Sequence, residues 1–328
     1  MFSHHSILEI LATTMLIYDY GKKFTLSEDE DIETFTNKLD PLMLQNMSSE
    51  RIDILRKIRT YSPKGKVMMF IDDPFTDLQV GITKSDAKKR LIVVFRGTES
   101  RSDWMYDFRI CKRNLIEFGH GISVHSGFYK QLYDNDNCEK IISKLEEILS
   151  DAEYKDYEIY CTGHSLGGAL CTLFGYILSH RIKHKVRVIS FASPRVGNYQ
   201  FKTYFEAKEN LYHYRITNNR DIVTATPMIG YHHVGQNIHL TPLNCEFCEK
   251  YNRYWKFSLL RCWSILDHSI DLYYHRLVQH KWYSPEDPHA GMTEDEVMVE
   301  VEKFTEDLIN NVIELQDEYD ASGEIVNI

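Results

Sequence analysis

The sequence predicts an α/β fold with a mostly parallel central sheet flanked by helices, and three observations carry that expectation. Leu91-Ile92-Val93-Val94-Phe95 is a continuous apolar run, as in a strand covered on both faces of a parallel sheet. Tyr157-Glu158-Ile159-Tyr160-Cys161 is a second β-prone run. It passes through Gly163-His164-Ser165-Leu166-Gly167 into a segment with Ala169, Leu170, Leu173, Phe174, Ile177 and Leu178 at helical spacing. Residues 186–191 and 211–217 repeat the β-prone pattern further on, so strands and helices alternate.

Taken in order, residues 6–20 read as a helix, with Ser6 and Glu9 spaced as a capping box and Gly21 as the stop. Ile7, Leu11 and Met15 would face the core. The acidic stretch 27–33 reads as a solvated loop and 51–59 as a short helix. Two β-prone runs, 67–71 and 78–83, flank Asp72-Asp73-Pro74 and predict a hairpin at the sheet edge. The strand at 91–95 is then central, with Arg96-Gly97-Thr98 at its carboxyl end. Beyond it, Trp104 and Phe108 share one face of a short helix and Asp103 and Asp107 another. Ile141, Ile142, Leu145, Ile148 and Leu149 mark residues 136–150 as the crossover helix into the next strand. Ala192-Ser193-Pro194 breaks the strand at 186–191, and 211–217 runs into the turn-rich Asn218-Asn219-Arg220-Asp221. The alternation reads as a doubly wound sheet, whose ligands sit beyond the carboxyl ends of the strands, where Thr98, Ser165 and Asp221 would lie.

Composition narrows the function classes. Within 328 residues there are 38 Lys and Arg against 48 Asp and Glu, a formal charge of −10, with no long basic block. That excludes the electrostatic footprint of a nucleic-acid binder. The apolar run at 7–18 is interrupted by Glu9, lacks a basic lead and is too short to span a bilayer, so neither a signal peptide nor a membrane span is expected. Seven scattered cysteines, an odd number, read as reduced thiols in a protein kept inside the cell. Length and apolar content fit one main domain.

The chemistry centres on Ser165. A strand entering a helix through G-x-S-x-G is a nucleophile elbow, in which Gly163 and Gly167 leave room for a turn sharp enough to expose a hydroxyl. A serine needs an imidazole to take its proton and a carboxylate to hold that imidazole in one tautomer. Asp221, at the end of a predicted strand, stands where such an acid belongs; a turn aspartate capping local amides is the competing reading. Among the fifteen histidines, His232, His233, His268, His275 and His280 follow Asp221 and compete as the base. Leu166, directly after the nucleophile, supplies a backbone N–H for an oxyanion.

Five motifs occur in order: Phe95-Arg96-Gly97-Thr98, Val124-His125-Ser126-Gly127-Phe128, Gly163-His164-Ser165-Leu166-Gly167-Gly168, Phe191-Ala192-Ser193-Pro194-Arg195-Val196-Gly197-Asn198 and Asn219-Arg220-Asp221-Ile222-Val223. Together they resemble the class 3 lipase family, an α/β-hydrolase type, over about residues 65–280. The resemblance implies Asp221 as the acid, His268 of Asp267-His268 as the base and Thr98 as second oxyanion donor. It implies supporting roles for His125 and His233, no cofactor, and a mobile lid bearing Trp104 and Phe108, for which a fixed core helix is the alternative. His164 is expected to point away from the nucleophile into the packing. Only the second proline of the Pro-x-x-Pro often found after the acid is kept, at Pro227.

On this reading residues 1–288 form the hydrolase domain and 289–328 an acidic amphipathic helix with Val297, Val301, Phe304, Leu308, Val312 and Leu315 on one stripe. Residues 243–263 read as an aromatic insertion that would wall the acyl pocket. Its Cys245, Cys248 and Cys262, with His233 or His239, match no standard zinc spacing, so no metal is expected. The implied activity is cleavage of acyl-lipid esters through an acyl-enzyme on Ser165, with transient contact with a lipid surface. The alternatives are a catalytically silent interaction protein of this type and an acyltransferase or peptidase on the same scaffold.

Overall fold

The computed structural model describes residues 3–27, 30–38, 47–62, 64–98, 111–248, 264 and 266–280. The helix expected to carry Trp104 and Phe108, most of the 243–263 insertion and the acidic helix of 289–328 lie outside the described residues.

Helix α1, His4–Leu16, starts two residues ahead of the expected point because Ser3 is its cap, accepting from the Ser6 N–H at 3.1 Å. Glu9 is therefore no capping residue. It is buried and accepts from Arg90 Nη1 at 2.6 Å and Lys88 Nζ at 2.9 Å, since a carboxylate turned to the core needs cations to replace its water. Gly21, at φ +80°, closes the turn that follows. Helix α2, Ile32–Thr36, capped by Asp31, occupies the end of the stretch expected to be loop. Helix α3, Ser49–Tyr61, capped by Ser48, buries Ile54, Leu55 and Ile58.

Strands β1, Lys66–Asp73, and β2, Leu78–Ser85, form the expected edge hairpin, and β2 continues antiparallel onto β3, Arg90–Phe95. A small separate ribbon pairs β4, Lys112–Asn114, with β5, Ser123–His125. Helices α4, Ser126–Tyr133, and α5, Asn137–Leu149, lead to β6, Glu158–His164. Then come α6, Leu166–Arg181, β7, Val186–Phe191, α7, Tyr199–Glu206, and β8, Leu211–Asn218. Strand β9, Gln236–Leu240, and β10, Cys245–Cys248, follow, so the insertion opens with a strand. Helix α8 spans Ile270–Gln279.

Among the described residues the main sheet has the order β1-β2-β3-β6-β7-β8-β9-β10, with β3, β6, β7, β8 and β9 parallel. Strand order never reverses, so the sheet is not doubly wound. Right-handed crossovers that always step the same way leave their helices on one face. Leu91, Val93 and Phe95 of β3 accordingly pack with α4 to α7, through Phe128, Leu145, Phe174 and Phe201. Ile92, on the opposite face, joins the cluster of Ile10, Leu11, Ile54, Tyr273 and Leu277 from α1, α3 and α8. The second face is thus covered by helices from the two flanks of the sheet rather than by crossovers. No helix among the described residues is long and apolar enough to cross a membrane.

Candidate active site

The register of the parallel strands brings the expected residues to one end of the sheet. Phe95 pairs with Gly163 and His164 with Phe191, so the ends of β3, β6 and β7 are level. Ser165 leaves β6 at φ 58° and ψ −124°, a strained backbone held by its N–H bond to the Phe191 carbonyl at 2.9 Å. A Cβ at Gly163 would overlap the Gly167 carbonyl, and one at Gly167 the Phe95 carbonyl. Those two positions admit only glycine because three backbone segments meet there.

Asp221 lies just past β8, fully buried. It accepts from the Val223 N–H at 2.9 Å, from the Tyr273 hydroxyl at 2.7 Å, and through both carboxylate oxygens from His268 Nδ1 at 3.0 Å. His268 Nε2 stands 2.8 Å from Ser165 Oγ. With Nδ1–H committed to a carboxylate that only accepts, the neutral ring has Nε2 free to receive the serine proton. The structure thus joins Ser165, His268 and Asp221 in one continuous hydrogen-bonded chain.

The other expected residues distribute as follows. The backbone of Gly97 lies against the elbow, so that a Cβ there would sit 2.6 Å from the His164 carbonyl and 3.3 Å from Ser165 Cβ. The chain continues from it into half-buried Thr98. Leu166 opens α6, where the first N–H groups have no acceptor within the helix. His125 caps α4, accepting from Gly127 N–H at 3.2 Å, and His233 Nε2 bonds the Thr224 carbonyl at 2.8 Å. His275 is exposed beside Glu50, and His280 bonds the Pro242 carbonyl. His239 is held by Thr217. No group of three His, Cys, Asp or Glu able to hold a metal occurs among the described residues; the Cys248 side chain and Cys262 lie outside them.

His164 sits in the packing as expected, yet close to the triad. Its ring lies 4.8 Å from the His268 ring, with Nε2 at 2.8 Å from the His268 carbonyl and Nδ1 at 3.0 Å from the Tyr18 hydroxyl. Sequence reasoning missed Tyr273. The hydroxyl that donates to Asp221 accepts from Asn218 N–H at 2.8 Å, tying the acid to the end of β8. Nothing in a Tyr-Tyr pair on an amphipathic helix signals that contact, which exists only because α8 packs against β8.

A parallel sheet carrying a strained serine elbow and a Ser-His-Asp chain at its carboxyl ends defines an α/β-hydrolase. The Lipase (class 3) family model matches residues 92–231, the segment that holds Ser165 and Asp221, so the resemblance carried by the five motifs is shown there. Over 184 residues the chain is 30% identical to secreted mono- and diacylglycerol lipase A of Penicillium cyclopium, covering 53% of this chain and 56% of that one. It is also 30% identical over 184 residues to phospholipase A1-II 3 of Oryza sativa subsp. indica, covering 48% and 44%. The chain thus spans about half the length of these curated relatives. Among solved structures, the lipase of Rhizopus microsporus var. chinensis superposes with a TM-score of 0.59 at 29% identity, over 65% of this chain and 76% of that one.

Proposed function

We propose that this protein is a serine ester hydrolase that cleaves acyl-ester bonds of lipids. The observation that carries the reading is the unbroken chain from Ser165 Oγ through His268 to buried Asp221. As Ser165 Oγ attacks the ester carbonyl, its proton passes to His268 Nε2, and Asp221 stabilises the imidazolium through Nδ1–H. The oxyanion is met by the Leu166 and Thr98 N–H groups, each worth about 3 kcal/mol to the transition state. His268 returns the proton to the leaving alcohol, leaving an acyl group on Ser165. Water, deprotonated by His268, then attacks the acyl carbonyl, releasing the fatty acid and restoring the serine.

The resemblance to glycerolipid and phospholipid hydrolases supports an acyl-lipid substrate, and contact with a lipid surface belongs to the same proposal. An intracellular setting is proposed from the scattered thiols, of which Cys111, Cys138, Cys161 and Cys171 are free; fractionation of tagged protein tests it. The intact chain of bonds weighs against a catalytically silent protein. The deciding experiment compares the purified protein with Ser165→Ala on esters of graded chain length, with release of free fatty acid as the readout. Turnover should fall by about 10⁶ in the variant while the fold persists. Equal hydrolysis by a folded variant would refute the reading, and acyl transfer to an added alcohol in place of fatty-acid release would favour an acyltransferase.

A further inference from the structure

The turn that carries His268 is a single turn of 3₁₀ helix, Leu266–His268, and so short a turn cannot fix an imidazole by its own hydrogen bonds. Its position comes from outside. Asn218 Nδ2 donates to the Asp267 carbonyl at 2.9 Å, and His164 Nε2 reaches the carbonyl of His268 at 2.8 Å. Two consecutive carbonyls are therefore gripped, one from the end of β8 and one from the elbow beside the nucleophile.

The second grip has a defined proton arrangement. A carbonyl only accepts, so His164 Nε2 must carry the hydrogen; in a neutral ring Nδ1 is then an acceptor, and the Tyr18 hydroxyl donates to it at 3.0 Å. Burial pushes the His164 pKa well below its ordinary value, with the nearby His268 adding to the effect, which keeps the ring neutral. Around it stand His268, the Tyr273 ring at 6.0 Å and Tyr18, whose own ring lies under the Arg51 guanidinium. Tyr18 follows α1 directly, and its hydroxyl fills the space that a Cβ at Gly97 would need, 2.5 Å from where that atom would stand. One hydroxyl thus bonds the elbow histidine and lies near the strand end that leads to Thr98.

We propose that Tyr18 and His164 are positioning residues for His268: the Tyr18 hydroxyl, donating to Nδ1, holds the His164 ring in place, and the ring's Nε2–H holds the His268 backbone so that its imidazole stays between Ser165 and Asp221. The inference rests on His268 being the base. Losing the Tyr18 hydroxyl takes away the donor that anchors Nδ1, so the ring can swing and draw its Nε2–H off the His268 carbonyl.

The test uses the full chain and a water-soluble p-nitrophenyl ester. In Tyr18→Phe, the ¹⁵N resonance of His164 Nδ1 should move toward that of a ring nitrogen with no donor, and kcat should fall about 10- to 100-fold with KM near the parent value. His164→Gln, whose amide N–H can reach the same carbonyl, should keep most of the activity that His164→Phe loses. An unchanged Nδ1 resonance and kcat in Tyr18→Phe would overturn the proposal, as would equal losses in folded His164→Gln and His164→Phe. If neither His164 variant folds, Tyr18→Phe decides alone. His268→Ala separates the two levels: labelling of that variant by a fluorophosphonate would refute the triad itself, whereas a dead His268→Ala beside a parent-like Tyr18→Phe would refute only the positioning role.

Discussion

The Tyr273 hydroxyl donates to Asp221 Oδ2 at 2.7 Å and accepts from the Asn218 N–H at 2.8 Å, so one buried phenol joins α8 to the acid and to the end of the strand before it. Burial and the Asp221 carboxylate both push its pKa well above the ordinary tyrosine value, keeping the donor proton in place. Tyr273→Phe keeps the ring and removes only the oxygen, leaving a buried backbone N–H unpaired and the carboxylate short of one donor. It should cost about 1–3 kcal/mol of stability. Urea denaturation checks the loss, and a variant as stable as the parent would mean that water replaces the hydroxyl without penalty. Activity should drop by less than in His268→Ala, since His268 keeps its bond to Asp221.

The histidines should separate cleanly. His268→Ala removes the group between Ser165 and Asp221, so both ester hydrolysis and fluorophosphonate labelling of Ser165 should disappear. His275 is an exposed helix-face residue beside Glu50, and His275→Ala should behave like the parent. His233→Ala should retain the chemistry in whatever fraction folds, because this ring bonds a loop carbonyl rather than a member of the triad. Loss of labelling in folded His233→Ala with retention in His268→Ala would move the base elsewhere.

Glu9 and Arg90 form an ion pair that is buried on both sides, with Arg90 also bonded to the Tyr61 carbonyl at 2.6 Å. Glu9→Ala strands a guanidinium in the interior and should destabilise by about 3–5 kcal/mol. The double replacement Glu9→Leu/Arg90→Met should recover most of that, since two apolar side chains of similar volume need no solvation. Chemical denaturation of the three proteins decides the matter; a double variant no better than Glu9→Ala would show that the pair supplies something packing cannot.

Cysteine reactivity offers a further measurement. Cys138, Cys161 and Cys171 are buried, and burial pushes their thiols up, Cys138 to about 12. Cys111 is exposed. At about pH 8 a maleimide should modify Cys111 in the native protein and reach the three buried thiols only on unfolding, because the thiolate is the reactive form. Peptide mass mapping before and after denaturant reads this out, and rapid modification of folded Cys161 would contradict the burial of β6.

Ser165 and Asp221 were legible in the chain because each stands in a short local pattern, whereas His268 and Thr98 were singled out only by the resemblance that the five motifs carry. Gly163 and Gly167 around Ser165 report a steric need confined to one turn, and the apolar run of β3 reports burial on both faces. Asp221 and Thr98 could be put on one edge of the sheet because each follows a strand, and the carboxyl ends of parallel strands share that edge. Periodicity likewise announced the edge hairpin and the helices α5 and α6. Winding direction was not legible: alternation of strand and helix is the same whether strand order reverses or not, and only the hydrogen-bonded order from β3 to β9 shows that the crossovers cover a single face. The second face is closed by α1, α3 and α8, helices far apart in sequence, and from that closure come the contacts no local pattern encodes. Tyr18 meets His164 across 146 residues and Tyr273 meets Asp221 across 52. Glu9 reads as a capping residue by spacing alone, and becomes a buried counter-ion only because α1 turns that side toward Arg90. Local sterics and periodicity are properties of a few consecutive residues, whereas the satisfaction of a buried polar group depends on whichever element packs against it, and that is decided only when the chain has folded.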